Sequence, residues 1–369
     1  MSDANIPVTS VFDYVCELPA YTELDYDYQQ NWFANEFQNL QGGCSGVVKS
    51  VGGETVIARN LDFNISNKSA YIVRTAVPGF YKTVGVTYVP WFGPDYKDVV
   101  AEGVPADFAK IAPFFSCDIL NEKGFYIEAD MRTEEFHDGK PRYKNYGLNP
   151  GGERVSAIAF LRYAAERVAT IDELLELLTK IDFYSLSAPG IEWGFAYIVA
   201  DATGNYGVLE IAGDKVYFNQ YQGVHTNLYV TPELGAHQLY PSGLGRYHTL
   251  QANYFKATDE QGMQDLIDLV KYSTQYSDMD GCAFDWRFEQ FDPAAGIDYA
   301  KLTDPAMQDT IRQEVTKYCE WWKSLSRQEK QDQNSIWEST LSVRTNVMKG
   351  TMRIRFYEDE ARVANLKVE

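Results

Sequence analysis

CSGVVKSVGGETVIARNLDF, spanning Cys44–Phe63, is the stretch on which the reading of this chain turns. Its two halves, CSGVV and TVIARNLDF, carry the β-branched and apolar residues that suit a pleated surface. The linker SVGGE supplies the Gly-Gly pair of a tight hairpin turn. Strand-like sequence starts abruptly at Cys44. Residues 1–43 before it are polar, acidic and dotted with Tyr, Phe and Trp, and they end in Gln41-Gly42-Gly43. The chain therefore divides into a segment 1–43 and a body 44–369, with the small residue Gly43 directly before a cysteine that opens a strand.

A cysteine becomes a nucleophile only when something removes its proton. Four histidines are present, His137, His225, His237 and His248, and none lies in a local context resembling a cysteine-protease motif. A cysteine at the first position of a mature chain has another base, its own α-amine. That amine has a reference pKa of about 7.7–8.0, so it can be neutral near pH 7 and accept the thiol proton. Gly43-Cys44 at the head of a strand is a junction suited to self-cleavage of this kind.

Further strand-like runs follow at 70–77, 82–88, 116–120 and 125–129, the last two flanking the turn Asn121-Glu122-Lys123-Gly124. Helical spacing appears at Leu161, Ala164, Ala165 and Val168, and again at Leu174, Leu177, Leu178 and Ile181, with Thr170 and Glu173 as a capping box. Strands return at 194–200, 206–211, 215–219 and 223–229. A helix over 263–272 is expected behind a Thr258/Gln261 capping box, and a longer one over 305–325. Strand-like runs at 336–344 and 351–357 end the pattern. Strands and helices alternating in blocks predict an α+β fold of two antiparallel sheets with helices outside.

Composition narrows the partners. The chain has 33 basic and 52 acidic residues, a net charge of -19, which argues against nucleic acid or an anionic membrane surface as the main partner. Five cysteines, Cys16, Cys44, Cys117, Cys282 and Cys319, are scattered without a CxxC pair, so neither a zinc site nor a disulfide framework is expected. Reduced thiols and an N-terminus without a signal-peptide pattern point to the cytoplasm. No run approaches the roughly 20 apolar residues of a membrane span. Oligomeric state is left open, a homo-oligomer included.

The segment from Cys44 to Phe63 resembles the start of mature enzymes in the choloylglycine hydrolase superfamily, which includes bile salt hydrolases, penicillin V acylases, acid ceramidase and N-acylethanolamine acid amidase. The shared pattern is a leading cysteine, a hairpin, then Arg-x-x-Asp, here Cys44, Arg59 and Asp62. NEKGFYIEADMRT (121–133) resembles the family's second hairpin, and GFAYIVADATGNYGVLEIAGDKVY (194–217) its central strands. GVHTNLYV (223–230) places Asn227 at the oxyanion asparagine, SGLGRYHTL (242–250) places Arg246 at a second active-site arginine, and TMRIRFYE (351–358) resembles the last strand. Two departures stand out. The Cys44-to-Arg59 spacing is one residue shorter than the family's, and Met131 stands where the ceramidase branch often has glutamate.

The resemblance implies a four-layer αββα sandwich, the N-terminal-nucleophile (Ntn) hydrolase fold. It also implies roles. Cys44, freed by cleavage after Gly43, attacks an amide carbonyl. Asp62 orients its amine, Arg59 favours the thiolate, Asn227 stabilises the oxyanion, Arg246 adds positive potential, and Asp130 lies where the family contributes a polar substrate or oxyanion group. The implied substrate is a small N-acyl amine or N-acyl amino acid of the bile salt, penicillin V or N-acylethanolamine type, with no metal or organic cofactor. Two alternatives stay open: an acyltransferase of the penicillin acyltransferase type, and a binding protein that keeps the fold without catalysis. Singly, each residue has a plainer reading: Cys44 as a buried small hydrophobe, Arg59 and Asp62 as an ion pair, Asn227 as a turn residue, Arg246 as a solvated charge.

Overall fold

Some strands of this chain alternate, as in Thr351–Phe356, and others, such as Ser116–Asn121, are buried along their whole length, so the sheets must be covered by other layers. A computed structural model shows how. It describes residues 42–63, 70–88, 112–132, 148–157, 159–184, 194–235, 244–271, 338–356 and 363–368, with short pieces at 10–11, 15–17, 187–188, 191–192 and 324. The expected helix at 305–325 lies almost wholly outside these residues.

The N-terminal pieces are β1 (Ser10–Val11) and β2 (Val15–Glu17). The first hairpin is β3 (Gly42–Val51) and β4 (Glu54–Phe63), followed by β5 (Ala70–Thr75), β6 (Thr83–Tyr88), β7 (Ser116–Asn121) and β8 (Tyr126–Arg132). Next come β9 (Glu153–Ser156), α1 (Phe160–Ala165), α2 (Ile171–Leu178) and β10 (Ile181–Tyr184). The short β11 (Ser187–Ala188) and β12 (Ile191–Glu192) lead to β13 (Gly194–Ala200), β14 (Tyr206–Ala212), β15 (Lys215–Gln220) and β16 (Val224–Thr226). Then follow α3 (Pro232–Gly235), α4 (Leu244–Asn253), α5 (Glu260–Asp268), β17 (Glu338–Asn346), β18 (Thr351–Phe356) and β19 (Val363–Lys367).

Two large sheets result. One runs β1-β2-β5-β6-β7-β8-β13-β14-β15, the other β16-β3-β4-β17-β18-β19. Pairing in both is antiparallel except between β2 and β5. Val48, Ile57 and Leu61 of the six-stranded sheet share one core with Ile72, Val86, Leu120 and Ile198 of the nine-stranded sheet. Helices α1 and α2 cover the outer face of the larger sheet, with Phe160, Leu161 and Leu174 packed beside Ile127, Tyr197 and Leu209. Helices α4 and α5 cover the other, with Leu250, Met263 and Ile267 on Val47 and Ala58. Each such side chain contributes about 1.5–3 kcal/mol on burial. The layers are therefore αββα, as expected. No helix among the described residues is long and apolar enough to cross a membrane.

The shortened first hairpin closes cleanly. Gly52 and Gly53 both have positive φ (60° and 84°), the geometry of a two-residue turn matched to strand twist. Register then runs without a shift from Val51↔Glu54 to Gly42↔Phe63. Three helix expectations are corrected. The first helix ends at Ala165 rather than Val168, because Asn121 Nδ2 of the β7–β8 turn donates to the carbonyls of both Ala165 and Val168 (2.8 Å each). Ile181 starts a strand, since α2 stops at Leu178 and Asn149 Nδ2 donates to the carbonyls of Leu178 (2.7 Å) and Ile181 (2.9 Å). The cap of α5 is Asp259, whose Oδ1 accepts from Gly262 N at 2.7 Å, not the Thr258/Gln261 pair. The expected strand at 223–229 is β16 alone, leaving Asn227 just beyond its end. Part of the segment 1–43 also joins the body, as β2 pairs with β5.

Candidate active site

Side chains on a strand alternate faces, so Arg-x-x-Asp on β4 sends Arg59 and Asp62 to opposite sides of the sheet. Cys44 lies opposite Leu61 on the neighbouring strand, between the two. Arg59 reaches the sulfur from the space between the sheets: its Nη2 is 3.0 Å from Cys44 Sγ. Asp62 faces the helical layer, where Ser339 Oγ donates to it at 2.5 Å and Arg246 Nη1 lies at 3.4 Å.

Arg246, on α4, is only 2 % exposed, so it is no solvated charge. Its Nη1 donates to the Cys44 carbonyl and to Ser45 Oγ (2.6 Å), and its Nη2 to Asn227 Oδ1 (2.6 Å). Asn227 Oδ1 also accepts from the Cys44 backbone N–H at 2.9 Å. Cys44, Arg59, Asp62, Asn227 and Arg246 are thus one buried cluster, and Gly43 pairs with Asp62 across the hairpin.

Asp130 joins from the larger sheet. Along β8 the even positions Tyr126, Glu128 and Asp130 point inward, where Asp118 of β7 meets them. Arg59 is their common cation, with Nε 3.0 Å from Glu128, Nη1 3.4 Å from Asp118 and Nη2 3.3 Å from Asp130. Tyr126 Oη donates to Asp118 (2.5 Å) and lies 3.1 Å from Glu128. The other Asp130 oxygen is 2.6 Å from His225 Nδ1, and His225 Nε2 is 3.0 Å from the Leu228 carbonyl. Gly46 leaves room for this cluster: a Cβ there would sit 2.6 Å from Glu128 Oε1 and 2.4 Å from Ile198 Cδ1.

The electrostatics follow from burial. Burial pushes the Cys44 thiol well above its ordinary value; Arg59 pulls it down, and Asp130 and Asp62 add to the rise. A cation beside the sulfur does act in the expected direction, but desolvation outweighs it in the intact chain. Burial also raises Asp62 to about 6 against the pull of Arg246. Glu128 and Asp118 are raised by burial too, with Arg59 opposing. Asp130 runs the other way: burial favours its neutral form, but the His225 hydrogen bond and Arg59 prevail and hold it below its ordinary value. Burial works against charge on Arg59, yet Asp118, Glu128 and the Cys44 sulfur keep it protonated.

Asp118, Tyr126, Glu128 and His225 were not singled out by sequence reasoning. The signal was there in Tyr126-Ile127-Glu128-Ala129-Asp130, where polar residues recur with period two on a strand otherwise fit for burial. Cys117 also lies beside the site, its carbonyl accepting from Arg59 Nη1 at 3.0 Å. Cys282 and Cys319 lie outside the described residues, as do His137 and His237. Among the described residues no group of His, Cys, Asp and Glu could hold a metal ion.

Residues 44–273 match the family model described as linear amide C–N hydrolases, choloylglycine hydrolase family. No protein of curated function matches the sequence. Among solved structures, the chain is similar to a mutant conjugated bile acid hydrolase from Clostridium perfringens, at 15% identity and TM-score 0.46 over 88% of this chain and 92% of that one. It is also similar to penicillin V acylase from Agrobacterium tumefaciens, at 14% identity and TM-score 0.44 over 88% and 86%.

Proposed function

The chain belongs to the choloylglycine hydrolase family of linear amide C–N hydrolases, and we propose that it frees Cys44 by self-cleavage after Gly43 and uses it to hydrolyse N-acyl amines or N-acyl amino acids. The observation that carries this reading is the closure of the cluster on one residue. Arg59 touches the Cys44 sulfur at 3.0 Å, while Asn227 and Arg246 hold its backbone N–H and carbonyl. A cysteine that only filled the core would still need its backbone N–H and carbonyl paired, but not a buried guanidinium on its sulfur.

The chemistry follows the atoms. In the mature chain the Cys44 nitrogen is an α-amine with an ordinary pKa of about 7.7–8.0, near enough to neutrality to take the thiol proton. The sulfur attacks the amide carbonyl, and the amine passes its proton to the departing nitrogen. Asn227 Oδ1 accepts from two donors, which fixes the side chain, and its amide N–H is the donor that would meet the oxyanion. Arg246 adds positive potential on the same side. Water then cleaves the thioester and restores the thiol.

Intact mass and N-terminal sequencing test the first step. Wild-type protein is expected to lose residues 1–43 and show Cys44 as its new N-terminus, and Cys44→Ala to stay at full length. A panel of N-acyl substrates, with and without an added amine acceptor, then separates hydrolysis from acyl transfer. Wild-type protein that stays intact across a broad pH range yet turns over amides would remove the α-amine from the mechanism.

A further inference from the structure

Before cleavage the Cys44 nitrogen is an amide and cannot be a base, so the self-cleaving thiol needs a different proton acceptor. We propose that Asp130, held in place by His225, takes the Cys44 thiol proton in the intact chain. This rests on the self-cleavage reading above.

Among the described residues, the charged groups against the sulfur are few. Arg59 Nη2, at 3.0 Å, is a donor only. The Asp130 carboxyl meets that same Nη2 at 3.3 Å, so one guanidinium nitrogen bridges the carboxylate and the sulfur. One Asp130 oxygen is committed to His225 at 2.6 Å; the other, Oδ1, makes no other conventional hydrogen bond. His225 is fixed in turn. Its Nε2 faces a carbonyl at 3.0 Å, so that nitrogen carries a proton, and a further proton must lie between Nδ1 and Asp130. The imidazole therefore ties β16 to β8 beside the nucleophile and holds Asp130 so that its other oxygen, Oδ1, lies against Arg59 Nη2. His225, Asp130 and Arg59 are all fully buried, so bulk water does not compete for the geometry. Asp130 is thus the proposed proton acceptor, reached through the shared Arg59 Nη2, and His225 is a positioning residue.

The step balances without a co-reactant. The S–H proton moves to Asp130 as Sγ bonds to the Gly43 carbonyl carbon. The Gly43–Cys44 C–N bond breaks, and the nitrogen takes the proton back to become the α-amine. Solvent water hydrolyses the resulting thioester, releasing the Gly43 carboxylate and the thiol.

The test follows self-cleavage of the full chain by intact mass against pH. The charged and titratable groups around Asp130 are Arg59, His225, Cys44, Asp118 and Glu128, with Asp62 felt from the far side of the six-stranded sheet. Asp62 is raised to about 6 and the thiol lies well above its ordinary value, so the window from about pH 7 to 8.5 avoids both. With Asp130 as acceptor, the wild-type rate is flat across that window. In Asp130→Asn it is expected to drop by about 10²-fold or more and to rise about tenfold per pH unit, because hydroxide must take the proton. His225→Gln, which keeps a donor but not the imidazole, is expected to slow cleavage and leave the profile flat. A wild-type rate that itself climbs tenfold per unit overturns the proposal with no variant involved. So does an Asp130→Asn chain that cleaves within about threefold of wild type with a flat profile. A wild-type chain that never exposes Cys44 fails earlier, at self-cleavage itself, and takes this proposal with it.

Discussion

Asn227→Asp separates what the asparagine holds from what it donates. In the structure Asn227 Oδ1 accepts from the Cys44 N–H at 2.9 Å and from Arg246 Nη2 at 2.6 Å. Both neighbours are donors, so a carboxylate oxygen in the same place keeps both bonds and strengthens the one to Arg246. What aspartate cannot supply is the amide N–H. If that N–H stabilises the oxyanion, kcat per processed molecule should fall by about 10²–10³, or roughly 2.7–4 kcal/mol of transition-state stabilisation, with KM nearly unchanged. Asn227→Ala removes both functions. Its kcat loss should match, but it should also lose about 1–3 kcal/mol of stability, because buried donors on Cys44 and Arg246 are left unpaired. The assay is steady-state hydrolysis of the best N-acyl substrate, divided by the Cys44 N-termini counted by intact mass, beside thermal melts of both variants. An Asn227→Asp enzyme that is folded, processed and within about threefold of wild-type kcat would refute the donor role.

Two other expectations come from burial. Cys44 is 4 % exposed with its thiol pushed up by burial, so brief iodoacetamide treatment should label it more slowly in molecules still carrying residues 1–43 than in processed ones; equal rates by peptide mapping would deny that cleavage changes the thiol. Asp62 is raised to about 6 by burial, so the stability its proton confers is full below the ordinary 3.8 and lost as pH rises past about 6, while the ionised form, which on the proposed mechanism orients the amine, is lost as pH falls through 6. Amide turnover should decline below that point, and Asp62→Asn should be poorly active above it while flattening this part of the stability-versus-pH curve measured by denaturant melts.

Much of the fold was legible because the strands carry their own signals. Gly52-Gly53 between two β-branched runs gave the first hairpin, and Asn121–Gly124 gave the second. The errors fall where a distant side chain intervened. No local pattern says that Asn121 will cap α1 or that Asn149 will hold Leu178 and Ile181, since those partners are 29 to 47 residues away. The site shows the same division. Arg59, Asp62, Asn227 and Arg246 were all singled out through their resemblance to a known pattern. Asp118, Glu128 and His225 matter through contacts across the sheets, and strand periodicity tells only which face they occupy, not what waits there.

The cluster around Arg59 explains how the proposed nucleophile can sit in an intact chain without being reactive. A lone guanidinium taken out of water costs several kcal/mol, and carboxylates at 3.0 to 3.4 Å offset that cost. Three ionised carboxylates would overcompensate one cation. Burial resolves this by pushing Glu128 and Asp118 toward their neutral forms, with the Tyr126 hydroxyl donating between them. Arg59 is then balanced mainly by Asp130, and its pull on the thiol is outweighed by desolvation of the sulfur. Cys44 accordingly rests as a neutral thiol. Opening the Gly43–Cys44 peptide would alter that balance at the backbone nitrogen itself. It would turn an amide nitrogen into a basic amine within one residue of the sulfur, inside the grip of Asn227 and Arg246. On the proposed mechanism, the thiol gains its base in the same bond-breaking event that uncovers it.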